Sequence, residues 1–140
     1  MEFEIYPYLG VGSIRFGMSP QDVRRVIGEP YSSFLKSPDS LLPTDSFDGE
    51  GVHVYYKAPG QVEAIEMAHP SAVVWQGTNL IGQKFEDVRR WIELVDPEAV
   101  IDDSGLTSYK LGFGVFAPGS GKDPSLRVES VIIFREGYYD

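Results

Sequence analysis

The sequence predicts an α+β fold of two tandem repeats, each a helix packed on a small antiparallel sheet, joined as one domain over residues 1–140. Three observations predict it. The run Asp-Val-Arg-Arg stands twice, at Asp22 to Arg25 and at Asp87 to Arg90, each time behind a glycine-bounded segment, Gly12-Ser-Ile-Arg-Phe-Gly17 and Gly77-Thr-Asn-Leu-Ile-Gly82. Further on, Ala58-Pro-Gly60 with Val62-Glu-Ala-Ile65 is matched in the same order by Ala117-Pro-Gly119 with Val128-Glu-Ser-Val131. Collinear matches of this kind signal internal repetition, placed at about residues 10–70 and 75–136. Lastly, 140 residues of which 42% are hydrophobic suffice for one core without disulfides or metals.

The first helix opens at Ser19, whose hydroxyl can cap it, with Pro20 at the first helical position and Asp22 facing the free N–H groups of the helix start. Met18 and Val23 are placed for a hydrophobic staple. Val23, Val26 and Ile27 share an apolar face, Arg24 and Arg25 point away from it, and Gly28 and Pro30 end the helix. In the second helix Val88, Trp91, Ile92 and Val95 form the buried stripe and Asp96-Pro97 the stop. Lys84 stands where Ser19 stood, so no side chain caps it.

About twenty residues of loop, rich in Ser, Asp, Pro and Gly, follow each helix. Residues 52–57 and 62–67 then read as a β-hairpin around a Pro-Gly turn. Their counterparts are Leu111 to Phe116 and Leu126 to Phe134, separated by the longer loop Ser120-Gly-Lys-Asp-Pro124. A further strand is expected before each hairpin, near Thr44 to Asp48 and Leu106 to Lys110.

The chain has no cysteine, which excludes disulfides, thiolate metal sites and a cysteine nucleophile. Its net charge of −9 repels phosphate backbones and argues against nucleic acid. The N-terminal run lacks a basic region followed by an apolar stretch, and no segment has the apolar length to span a bilayer, so a cytoplasmic protein with no membrane partner is expected.

The segment Ile14-Arg-Phe-Gly-Met-Ser-Pro-Gln-Asp-Val-Arg-Arg-Val-Ile-Gly-Glu-Pro30 resembles the opening of the repeat in the β-lactamase inhibitory protein family. It also resembles the related helix-on-sheet module of the outer-membrane assembly lipoproteins. The resemblance implies this fold, and a sheet face lined with aromatic and polar side chains that grips another protein. The inhibitors' disulfides and the lipoproteins' lipidated cysteine have no counterpart here.

No catalytic constellation emerges. His53 lies in a strand between valines and His69 precedes Pro70, and neither has a metal-ligand spacing, so no catalytic residue, metal or cofactor is assigned. Asp102-Asp103-Ser104-Gly105 lacks the alternating pattern of a calcium loop and reads as a turn. Gly119-Ser-Gly-Lys-Asp123 lacks Walker spacing and reads as a hairpin loop. Strand alternation places His53, Tyr55 and Lys57 on one face and Val52, Val54 and Tyr56 on the other. With Trp75 and Tyr109, the first set is the candidate binding surface for a protein partner, since exposed aromatics serve as interface anchors. The expected function is that of a non-enzymatic inhibitor or toxin-immunity-like protein. Two alternatives stay open: a small-molecule-binding or enzymatic domain with a pocket between the repeats, and a self-associating structural module.

Overall fold

The computed structural model describes residues 2–35, 37–39 and 42–139; the predicted domain ends, Met1 and Asp140, lie outside them. The chain runs β1 (Glu2–Tyr6), β2 (Gly10–Val11), β3 (Ile14–Arg15), α1 (Pro20–Ile27), β4 (Ser32–Phe34), β5 (Thr44–Phe47), β6 (Val52–Lys57) and β7 (Gln61–Ala68). It continues as β8 (Ala72–Trp75), β9 (Thr78–Asn79), α2 (Phe85–Glu93), β10 (Val100–Asp102), β11 (Gly105–Ser108), β12 (Phe113–Phe116) and β13 (Ser130–Phe134). The fold is α+β and mostly sheet. Among the described residues no helix is long and apolar enough to cross a membrane.

Eight strands form one antiparallel sheet, in the order β10-β11-β12-β13-β7-β6-β5-β4. The predicted hairpins therefore do not make two separate small sheets. They meet where β7 pairs β13, from Ser130↔Ala68 to Phe134↔Ala64. Ile65 and Met67 in β7, and Val131 and Ile133 in β13, are fully buried. Strands this apolar would be hazardous as open edges, with a row of unpaired N–H and C=O groups beside them, and pairing with each other removes both edges.

A second sheet, in the order β3-β2-β1-β8-β9, lies outside the predicted elements. In β1 the run Glu-Phe-Glu-Ile-Tyr alternates exposed and buried, which sends Phe3 and Ile5 inward. It pairs β8 in parallel, from Glu2↔Ala72 to Glu4↔Val74. The predicted loops after the helices also carry short strands, β4 and β10, which become the two edges of the large sheet.

In α1 the Ser19 hydroxyl accepts the Asp22 N–H at 3.2 Å. Val23 is buried, but Val26 is exposed and Arg24 is not turned to solvent. The reason is rotational. Arg24 sits about 100° around the helix from Val23, and its ion pair with buried Asp45 on β5 turns the helix toward that side, lifting Val26 out.

In α2 Phe85, Val88 and Ile92 are buried, with Trp91 and Val95 packed against the core from its margin. Lys84 makes no side-chain cap. Instead the Phe85 and Glu86 N–H groups donate to the carbonyls of Leu126 and Pro124, at 2.8 and 2.9 Å. The orphan donors of a helix start need partners, and the long β12–β13 loop supplies them as carbonyls. That is why the strand predicted from Leu126 joins the large sheet only at Ser130. Similarly, the strand predicted from Leu111 starts at Phe113, because the Leu111 and Gly112 N–H groups turn back onto Ser108.

Before each helix the backbone makes a reciprocal pair of bonds to the large-sheet layer. Gly17 N–H donates to the Val62 carbonyl and Val62 N–H to that of Met18; Gly82 N–H donates to Val128 and Val128 N–H to Gln83. The inner face of the large sheet, the helix stripes and Phe3, Ile5, Val11, Ile14, Val73 and Trp75 of the smaller sheet fuse into one hydrophobic core.

Candidate functional site

The outer face of the large sheet is not roofed by either helix or by the second sheet, whose buried side chains all join the core on the inner face. One register row crosses it from edge to edge: Val100↔Thr107↔Gly114↔Ile132↔Glu66↔His53↔Ser46↔Ser32. The next row reads Asp102↔Gly105↔Phe116↔Ser130↔Ala68. On this side Phe34, Val100 and Phe116 are all exposed, at 42%, 50% and 47%. Phe34 and Val100 stand on the two edge strands of the sheet and Phe116 two strands in from one edge.

A groove of about 300 Å3 is sunk into this face across β11, β12 and β13, reaching β10 at one end and β7 at the other. Its floor is low because Gly105 and Gly114 carry no side chain. A Cβ on Gly105 would stand 2.0 Å from the Val115 carbonyl oxygen, and one on Gly114 3.1 Å from that of Leu106. Phe116, Ile132 and Tyr139 form the apolar part of its lining, while Glu66 and Asp102 mark its ends. The Tyr55 hydroxyl donates to Glu66 at 3.3 Å, and the Ser104 N–H donates to Asp102 at 2.8 Å. Burial, and then the negative charge of Glu66, push the Tyr55 hydroxyl well above its ordinary pKa, so it stays a donor.

Aromatic rings close one side of this face. Phe134 points outward from β13, and the segment after it folds back so that Tyr139 packs edge-on at 5.0 Å and Tyr138 stacks at 6.2 Å. Tyr109 meets both Phe134 and Tyr139, at 6.1 and 5.9 Å, and its carbonyl accepts the Tyr8 hydroxyl. Phe134 is thereby reduced to 2% exposure, while Tyr109 and Tyr139 remain half in water.

A second constellation lies on the inner side. The Asp45 carboxylate accepts from Arg24 Nε and Nη2 at 3.0 and 2.8 Å, from Ser33 Oγ at 2.7 Å and from the Tyr56 hydroxyl at 2.8 Å. Burial pushes the Asp45 carboxyl up, but the hydrogen bonds of Arg24, Ser33 and Tyr56 outweigh it and hold the group below its usual range. Burial, with Asp45 next, raises the Tyr56 hydroxyl. A cavity of about 280 Å3 adjoins these groups, lined also by Gln21, Pro43 and Pro59. Four donors fill the acceptor capacity of one carboxylate, so Asp45 has none left for a substrate. The arrangement holds α1 on the sheet. Arg24 further stacks on the Tyr31 ring at 4.5 Å.

Of the residues singled out in the sequence, His53, Tyr55 and Lys57 fall at alternate positions of β6 on the outer side, each half-buried. Phe34 packs edge-on against His53 at 5.6 Å, and Asp48 lies 3.8 Å from its Nε2. Tyr109 joins the aromatic cluster. Trp75 does not join the set: it is 6% exposed in the other sheet and packs against Phe113 at 5.6 Å. Among the described residues no group of three His, Asp or Glu side chains is placed to hold a metal. Asp102 to Gly105 is the turn between β10 and β11, and Gly119 to Asp123 belongs to the loop that serves α2.

Sequence reading missed the groove and the Arg24–Asp45 pair. The pair left a trace, since alternation from Phe47 puts Asp45 on the inner face, where a carboxylate requires a cation. The groove needed the register of five strands, which local sequence does not encode. No family model, curated protein or solved structure matches the chain.

Proposed function

We propose that this chain is a non-enzymatic protein-binding domain, of the inhibitor or immunity type, which grips its partner with the outer face of the eight-stranded sheet. The observation that carries the reading is the uncovered face itself, with Phe34, Val100 and Phe116 exposed on it and Tyr109 and Tyr139 exposed at its margin. Aromatic anchors around a recess, with polar groups at the rim, are the anatomy of a protein interface. Polar side chains with hydrogen-bonding capacity, Glu66, His53 and Thr107, stand among them.

The same reading includes an ancestral doubling of a helix-on-sheet unit within one domain. Its support is the mirrored strand order, in which β4 to β7 run inward from one edge of the large sheet as β10 to β13 do from the other. The matching backbone bonds of Gly17, Met18 and Val62 and of Gly82, Gln83 and Val128 add to it. Kinship with the β-lactamase inhibitory protein family, carried by Ile14 to Pro30, is part of the proposal.

The test is photo-crosslinking in the producing cells, with a benzophenone side chain placed at Phe116, at Phe34 or at Leu9, which is exposed outside the large sheet. Discrete adducts of one protein from the first two positions and none from Leu9 are expected. Adducts from Leu9 alone, or from none of the three, would overturn the assignment of this face.

A further inference from the structure

We propose that the groove across β10, β11, β12, β13 and β7 seats a basic, extended segment of a partner protein, with one cationic side chain at Glu66 and another at Asp102. The inference rests on reading the outer face as protein-binding, and specifies what that face takes.

Charge is the first ground. Glu66 and Asp102 line the groove, and among the described residues no Lys, Arg or His lies within ion-pair distance of either. Other carboxylates of the same sheet are matched, Asp45 by Arg24 and Glu63 by Arg135. The chain as a whole carries −9, which draws in a basic partner, speeds its encounter and disfavours a second copy of itself.

Geometry is the second ground. Four strand-to-strand steps separate β10 from β7, which at about 4.8 Å each makes roughly 19 Å. One arginine side chain is too short to join both ends, whereas an extended segment of about six residues spans that length. Between the ends, the glycine floor admits a backbone lying close to the sheet. Phe116 and Tyr139, which line the groove, supply aromatic surface for a guanidinium or for the methylene stem behind it. The described lining holds two carboxylates and no Lys, Arg or His, so its charge favours a cation over an anion.

The probe is the peptide acetyl-Arg-Ser-Gly-Ser-Gly-Arg-amide, titrated into the 15N-labelled full chain at low salt. Its counterpart with both arginines replaced by citrulline keeps the shape and removes the charge. The expected result is amide shifts centred on Gly105, Gly114, Ile132 and Glu66, with binding at least about tenfold tighter than for the citrulline peptide or for a peptide with one arginine. Glu66→Gln and Asp102→Asn are near-isosteric changes at half-buried and exposed positions, and the same spectra report that each variant is folded. Each should lower the affinity to that of the one-arginine peptide. Equal binding of the arginine and citrulline peptides at the groove would overturn the cation assignment while leaving the face a binding surface. Shifts lying outside the groove, or no shifts, would overturn the inference, and photo-crosslinking at Phe116 and Phe34 decides the broader reading independently.

Discussion

Removing one partner of the Arg24–Asp45 pair is the most informative perturbation of this fold. The Asp45 side chain is 1% exposed and that of Arg24 29%. In Asp45→Leu the Tyr56 hydroxyl loses its acceptor inside the protein, costing about 1–3 kcal/mol. The guanidinium loses two charge-assisted bonds but regains water through its exposed part, so its share is discounted to about 1 kcal/mol. The sum is about 2–4 kcal/mol, which for a chain of 140 residues lowers Tm by roughly 7–14 °C.

Arg24→Met strands the carboxylate instead and should cost at least as much, because the Asp45 side chain is buried and loses its charged partner. Arg24→Met with Asp45→Leu removes both charges, and buried ion pairs replaced whole by apolar residues are often neutral. The double variant should therefore be more stable than either single one, in a cycle measured by urea unfolding with constant slope. Two single losses below about 0.5 kcal/mol, or a double loss equal to their sum, would refute the claim that this pair anchors α1. The pH dependence has a fixed sign. The folded Asp45 carboxyl lies below its unfolded value, so its contribution is fully present above about pH 4 and drains away as pH falls through the folded value. Asp45→Asn should flatten that acid limb of the stability curve relative to the parent.

Ser19→Ala should cost about 1 kcal/mol by loss of the α1 cap, whereas Lys84→Ser should change stability by less than about 0.5 kcal/mol, since loop carbonyls already take the first α2 donors. Replacing residues 120–127 by a tight turn should speed hydrogen exchange at the Phe85 and Glu86 amides well before that of Val88; unchanged protection there would show that the loop is not the cap. Tyr139→Ala uncovers Phe134 and should cost about 1–2 kcal/mol, read as a lower urea midpoint. Met67→Ala, at the fully buried seam between β7 and β13, should cost about 2–5 kcal/mol.

Both helices were legible because capping and periodicity are local: Ser19, Pro20 and Asp22 announce one start, and Val88 and Ile92 sit four apart on one face. The hairpin of β6 and β7 was legible from β-branched runs around a Pro-Gly turn. The five-stranded sheet was not, although Glu2 to Tyr6 carries strict alternation, because β2, β3 and β9 have two residues each and owe their pairing to tertiary neighbours. The inward turn of Arg24 was hidden for a related reason. A propensity argument places a charge outside, and only the partner across the sheet reverses it. Of the candidate surface, His53, Tyr55 and Lys57 were found by counting in twos along one strand. Glu66, Asp102 and Phe116 come from three others, brought alongside by register alone.

Between the end of β7 at Ala68 and the start of β8 at Ala72 the chain spends only three residues. The strand that pairs with β7 is nevertheless β13, and the covalent chain between Ala68 and Ser130 is what sets the effective mutual concentration of those two strands. Docking along Ala64 to Ala68 is thus a unimolecular event that outruns exchange of portions between molecules at any ordinary protein concentration.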